Sequence, residues 1–374
     1  MMVIVIGAGF AGLSAARILG RNRKEIETIV MDKASESSFL PMLPDVIGRG
    51  INPEYLTADI KYLAARFGFK FIKAEVSAVD LDKKEVLSAD QVFPYDYLLI
   101  SSGSETNFYG NEQVRKYAYK LDDASDARKI RQALEAREFD NYLISGGGYT
   151  GIEVATNLSL YFTKKSLKKK IVIVERTPSI LGPLPQWMKD YVSNNLKKLG
   201  IEVLTNTAIE KIEDKNIHLQ GAGVFDNAML IWTAGVKASD FIQKINAEKN
   251  PQGRLKVDEY LRLRESCFVT GDSSYVAHKG SFLRMAVQFS IKEGECAAIN
   301  IIRSIKGARL VKYAPVDLGY VIPMANNSSC GTILGINMKG LIPTFMHYFM
   351  CIYRSWTIGN KLGILKGLVR GGSY

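Results

Sequence analysis

A chain of 374 residues is too long for one small core and implies about two domains. Its 47% hydrophobic and 23% charged residues, with eleven prolines and no low-complexity tract, exclude a largely disordered chain. A net charge of +11 invites polyanionic partners, but Leu318–Tyr374 holds no acidic residue, so the excess points to an anionic lipid surface and not to nucleic acid.

Val3 to Ile6 is a short continuous apolar run, as in a buried parallel strand. Gly7, Gly9 and Gly12 follow it in G-x-G-x-x-G spacing, ahead of an apolar-periodic helix. In this device the first glycine permits a tight turn, the second admits a pyrophosphate to the backbone, and the third lets helix pack on strand. The helix N-terminal amides supply the anion site. The next run, Thr28 to Lys33, ends in Asp32, placed to accept from ribose hydroxyls. Pro41 and Pro44 then fix a loop within Phe39–Gly50, and Gly103 follows a buried run. A bare backbone at Gly103 either approaches a flat cofactor or makes a plain turn.

The same order recurs from Tyr142: a strand to Ser145, then Gly146, Gly148 and Gly151, a helix over Ile152–Phe162, and a strand Lys170–Arg176 whose acid is Glu175. A carboxylate there favours a free 2′-hydroxyl, hence NADH over NADPH, although Arg176 beside it is able to hold a 2′-phosphate. Glu153, on the first turn of this helix, reads as a partner of the helix dipole. Between the two strands, Lys164–Lys170 reads as a solvated loop or helix end. Cys267–Ser274 is a strand that delivers Gly271 and Asp272. Met285–Ile305 has helical periodicity, with Gln288 and Lys292 on one face.

The tail, from Asn337, has an apolar stretch Leu341–Tyr353 that is shorter than the ~20 residues needed to span hydrocarbon. Two short helices with a break near Gly359, basic residues Lys339, Arg354, Lys361, Lys366 and Arg370, and Trp356 fit an interfacial anchor. The alternative is a helix packed on the protein's own core or on a dimer partner. Cys267, Cys296, Cys330 and Cys351 form no CxxC pair and read as reduced thiols. The apolar N-terminus runs directly into the first glycine motif, so it reads as a strand and not as a signal peptide.

Two glycine fingerprints combined with the Gly271–Asp272 turn resemble flavoproteins with two dinucleotide domains. Phe39–Gly50, Tyr95–Gly110, Lys120–Leu134 and Ile231–Val236 are further similar to type II NADH dehydrogenases, the single-subunit NADH:quinone oxidoreductases, over nearly the whole chain. The resemblance implies an α/β fold with two Rossmann-like dinucleotide-binding domains, the FAD domain carrying an inserted NADH domain, plus C-terminal amphipathic membrane-anchoring helices. The expected divisions are 1–110 and 236–318 for FAD, 111–235 for NADH, and 319–374 for the anchor and quinone access.

It also implies non-covalent FAD on Gly7, Gly9, Phe10, Ala11, Gly12, Asp32, Lys33, Pro41, Val76, Ser102, Gly103, Gly271, Asp272, Ala286 and Val287. NADH would lie on Gly146, Gly148, Tyr149, Thr150, Gly151, Glu153, Glu175 and Gly235. Tyr149 replaces a common proline and either covers the nicotinamide or supports its loop. The family places an acid like Glu153 at the nicotinamide–flavin junction. It has two glutamines beside the quinone; Gln288 matches the first, but Lys292 stands at the second. Lys292 is expected to protonate a quinone oxygen or stabilise reduced flavin provided burial lowers its pKa, and otherwise to be a surface lysine.

The expected function is NADH oxidation with two-electron reduction of a membrane quinone, without proton pumping. The enzyme would be peripheral, on the cytoplasmic face of the cell membrane, with a homodimer left open and no metal. The rivals are a sulfide:quinone oxidoreductase, which needs a cysteine pair, a soluble NADH reductase of a small iron-sulfur protein, and a non-catalytic NADH-sensing scaffold.

Overall fold

The computed structural model describes residues 1–89, 91–278 and 280–370. Two compact units emerge from its packing: Met1–Ser37, Ala58–Glu105 and Val236–Asp317 form the first, and Ser38–Thr57, Thr106–Gly235 and Leu318–Tyr374 the second. The proline-bearing segment around Pro41 therefore packs with the second unit. The last four residues of the expected anchor, and the side chain of Arg370, lie outside the described residues.

A six-stranded sheet organises the first unit, in the order Arg262–Arg264, Cys267–Val269, Tyr97–Ile100, Met2–Ile6, Glu27–Asp32, Lys70–Lys73. All neighbours run parallel except Arg262–Arg264, which is antiparallel to Cys267–Val269. Its central strands are continuous apolar runs because helices or loops cover both faces; Val3, Ile4 and Val5 are wholly buried. One face packs Ile4, Ile6, Met31, Leu98, Ile100 and Val269 into a core with Phe241 and Ile242.

The second unit repeats the design with four parallel strands, in the order Glu202–Leu204, Lys170–Val174, Asn141–Ser145, Ala228–Trp232. Its helix begins at Tyr149, three residues before the sequence periodicity suggested, and runs to Lys164. Ile152, Ala155, Leu158 and Phe162 face the core with Ile144, Ile173 and Ile231. The α/β expectation holds in both units.

A three-stranded antiparallel sheet, Gly319–Ile322, Ser329–Ile333 and Ile336–Gly340, leads into helices Leu341–Arg354 and Ile358–Arg370. The break between them is Ser355–Thr357, near Gly359, which itself lies inside the second helix. The first helix turns Thr344, Tyr348 and Cys351 inward, and the second docks by Ile364 and by Asn360, whose Nδ2 donates to the carbonyls of Tyr55 and Thr57 at 2.8 and 2.7 Å. The outward faces carry Leu341, Ile342, Phe345, Phe349 and Tyr353 on one helix and Ile358, Leu362, Leu365 and Val369 on the other. Among the described residues no helix is long and apolar enough to cross a membrane.

Candidate active site

In the first unit, Gly7 has φ +98°, a left-handed geometry that suits glycine, and a Cβ there would run into the backbone of Ser101 and Ser102. A Cβ on Gly12 would strike the carbonyl of Gly7, so the helix Phe10–Leu19 rests directly on the turn. Gly9 differs: a Cβ there would meet nothing within 4 Å. Its openness lies at the helix N-terminus, where no side chain caps the amides, which leaves room and donors for an anion. Asp32 accepts from the amides of Ala8 at 2.7 Å and Ala34 at 2.8 Å, fixing its carboxylate beside the fingerprint.

The second unit reproduces this geometry residue for residue. Gly146 has φ +106°, a Cβ on Gly151 would strike the carbonyl of Gly146, and a Cβ on Gly148 would meet nothing. Glu175 accepts from the amide of Gly147 at 2.7 Å and from the amide of Thr177 at 2.8 Å. Each turn is also pinned by a hydroxyl that periodicity did not reveal. Ser101 Oγ donates to the Ile6 carbonyl at 2.9 Å, and Thr233 Oγ1 to the Ser145 carbonyl at 2.8 Å.

Several other expected flavin residues gather in the first unit. Gly271 has φ +68° and lies against Ala11, and Asp272 accepts from Ser104 Oγ at 2.9 Å. Burial pushes the Asp272 carboxyl above its usual range, against the pull of Ser104 and Arg254. Ser102 Oγ lies 3.2 Å from that of Ser273, and Gly103, at φ +72°, has open space where a Cβ would project. Phe10 and Ala11 begin the fingerprint helix, Lys33 follows Asp32, and Ala286 precedes the uncapped helix Val287–Ile305. The Val76 side chain belongs to the core, and Pro41, in the second unit, sits in a short 3-10 turn.

The two residues of the quinone-side pair differ in setting. Gln288 Nε2 donates to Asp317 at 3.1 Å. Lys292 has a 69% exposed side chain and pairs with Glu295 at 2.8 Å, so the burial on which its expected role depended is absent. Lys292 is a surface lysine because the helix turns its Glu293 neighbour, and not position 292, into the interior.

In the second unit, Tyr149 opens the helix and meets Tyr320 edge-on, with ring centroids 6.1 Å apart, while Thr150 is exposed. Gly235, at φ +101°, is covered by the Tyr109 ring. Glu153 is the fifth helical residue and not part of the first turn. It is half-buried, and its carboxyl is pushed well above the usual range by burial and then by the charge of Asp45.

Asp45, missed by sequence reasoning, is itself pushed up to about 6 by burial, against the pull of Arg49, Tyr348 and Asn157. His347 is lowered to about 4 by burial and by Arg49, and its Nε2 lies 3.5 Å from Cys351 Sγ. Two carboxyls, a phenol, an imidazole and a thiol thus converge from three helices of one unit.

The sequence pattern of the pyridine nucleotide-disulphide oxidoreductase family matches residues 1–294. The chain belongs to this family. All four cysteines are free, and Cys330 is buried in the strand Ser329–Ile333.

Among curated relatives, the chain is 25% identical to a demethylphylloquinone reductase NdbB of Synechocystis over 97% of its length and 94% of that protein. It is also 25% identical to a type II NADH:quinone oxidoreductase of Staphylococcus saprophyticus over 92% of each. Among solved structures it shares its fold with NDH2 from Plasmodium falciparum in complex with NADH, at a TM-score of 0.86 and 18% identity over 100% of this chain and 98% of that one. The sulfide:quinone oxidoreductase of Aquifex aeolicus follows at 0.80 and 17%, covering 97% and 92%.

Proposed function

We propose that the chain is an FAD-dependent NADH:quinone oxidoreductase that works at a membrane surface without pumping protons. The observation that carries this reading is the doubled cradle: two open glycines at uncapped helix N-termini, each beside a strand-end acid, with the Gly271–Asp272 turn in the same unit as the first. The open Gly9 position is what makes the first cradle fit a dinucleotide. Relatives named as quinone reductases over nearly their full length support the acceptor class. Bound FAD would supply the redox chemistry, taking a hydride from NADH and passing two electrons to quinone.

This chain's residues bind, orient and hold a proton. The amides at the start of Phe10–Leu19 take the FAD diphosphate and Asp32 a ribose; the amides at the start of Tyr149–Lys164 take that of NADH. Glu175, already accepting two backbone amides and the Thr177 hydroxyl, keeps a lone pair for a 2′-hydroxyl and repels a 2′-phosphate. Tyr149, braced on Tyr320, supports the loop. Quinone reduction by NADH consumes one proton beyond the hydride, and Glu153 holds one at its carboxyl, where it serves as a general acid.

The outward apolar faces of the two C-terminal helices, flanked by Lys361 and Lys366, favour seating on an anionic lipid surface over packing on the protein's own core. We place that surface on the cytoplasmic side of the cell membrane. A sulfide:quinone reading lacks the cysteine pair it requires.

The test is to add NADH to purified protein and then a short-chain quinone, following flavin absorbance. Bleaching by NADH and recovery on quinone are expected. A flavin that sulfide bleaches and NADH does not would sink the reading.

A further inference from the structure

Glu293 lies outside both glycine fingerprints and outside the Gly271–Asp272 turn, yet it is only 2% exposed. Its helix, Val287–Ile305, approaches the fingerprint helix so closely that a Cβ on Gly294 would strike the carbonyl of Ala11. That approach delivers the neighbouring carboxyl beneath the turn. Glu293 Oε2 accepts from the Gly271 amide at 2.7 Å and from Ser274 Oγ at 2.8 Å. Gly271 is held left-handed and against Ala11, so this one oxygen fixes a backbone amide in a crowded place that suits glycine.

A second buried ion completes the group. Arg254 is 2% exposed, its Nη1 donates to the Leu283 carbonyl at 3.1 Å, and its charge acts on both Asp272 and Glu293. Tyr313 and Cys296 also face Glu293, and both feel its charge. Lys292 and Glu295, on the same helix, point away as an exposed pair.

We propose that Glu293 is a positioning residue of the flavin site, holding the Gly271–Ser274 turn beneath the fingerprint helix, and that with Arg254 and Asp272 it forms a buried charge trio coupling flavin affinity to pH. The inference rests on the flavin reading of the first cradle.

The coupling follows from charge and from one proton. Ser274 Oγ has a single hydrogen, within reach of both Glu293 Oε2 and the Gly271 carbonyl at 2.9 Å. An ionised Glu293 draws that hydrogen in a charge-assisted bond and takes it from the turn's own carbonyl. Burial pushes Glu293 up to about 7, against the pull of Ser274, Gly271 and Arg254 and with a push from Asp272. Below that pH, with Asp272 and Arg254 ionised, the trio is neutral, and above it the trio carries one negative charge. An anionic diphosphate nearby favours the neutral trio, so binding takes up a proton and affinity falls as pH rises through the pKa of Glu293.

FAD affinity of the deflavinated protein, read by flavin fluorescence from about pH 6 to about pH 8.5, tests this. The dissociation constant of the parent is expected to rise roughly three- to tenfold across that range, since one proton gives at most tenfold per pH unit. E293Q, whose amide oxygen still accepts from Gly271, should match the parent near pH 6 and lose the slope. E293A should weaken FAD at least tenfold throughout, with a circular dichroism spectrum confirming that it folds.

A parental slope that survives in E293Q, no slope in the parent, or E293A binding FAD like the parent would each overturn the proposal and leave the function standing. A parent that binds no FAD at any pH would overturn the flavin reading with it.

Discussion

Tyr348 donates its phenolic hydrogen to Oδ1 of Asp45 at 2.8 Å, across 303 positions of sequence. Arg49 completes the arrangement, its Nε 3.2 Å from the same oxygen and its guanidinium 4.8 Å from the centre of the Tyr348 ring. The helix Leu341–Arg354 is thereby bonded to the proline-bearing segment by a buried phenol–carboxylate contact, and removing one partner strands the other.

Tyr348→Phe should therefore destabilise the fold, and more at high pH. Burial raises Asp45 to about 6, above its ordinary value of 3.8, so its stabilising contribution is full below that ordinary value and is lost as pH rises through about 6. The phenol offsets that loss by favouring the ionised carboxylate. Thermal melts at about pH 8 should show a deficit of about 1–3 kcal/mol that shrinks near pH 5. A deficit equal at both would contradict the assignment.

Gly148→Ala and Gly151→Ala should separate binding from folding. The first adds a methyl to open space in front of the helix amides and should leave the melting temperature unchanged while weakening NADH about tenfold or more. The second drives a methyl into the Gly146 carbonyl and should lose soluble, folded protein. NADH titration and a melt on the same samples distinguish them.

Glu153→Gln should slow quinone reduction by about a hundredfold and leave flavin bleaching by NADH close to parental, if the proton held there is the one delivered. The parental rate should fall as pH rises through the raised pKa of Glu153, and the Gln variant should lose that limb. Stopped-flow measurement of the two half-reactions reads both.

The double substitution Phe345→Glu and Phe349→Glu targets the outward stripe, where the two rings stack with centroids 6.3 Å apart. It should abolish cosedimentation with anionic lipid vesicles and leave turnover with a soluble short-chain quinone within about twofold. Undiminished sedimentation would reject the lipid-facing reading and turn attention to a second copy of the chain.

Both cradles were legible in the sequence because their parts are neighbours: strand, three glycines, helix and strand-end acid fall within about thirty residues and obey one local geometry. Asp45–Tyr348 and Gly271–Glu293 were not, because each pair meets only after the chain has folded, across 303 and 22 positions. Whether Lys292 would be buried was not legible for a different reason. Positions 288 and 292 do share a helix face, but which face turns inward is set by packing, here by the close approach at Gly294. The dipole argument for Glu153 failed because the helix starts earlier than its apolar period, moving the acid into the second turn, where burial outweighs the field of the helix end.

The repeated pinning of Ser101 and Thr233 gives the molecule its own built-in comparison. One hydroxyl carries a methyl and the other does not, and one acid is a methylene longer than its counterpart, yet both acids take their fingerprint amide at 2.7 Å. Small changes of side chain are thus absorbed without moving the backbone that receives a nucleotide. A substitution made in one cradle can be judged against its untouched twin, at the same temperature, in the same buffer and in the same polypeptide.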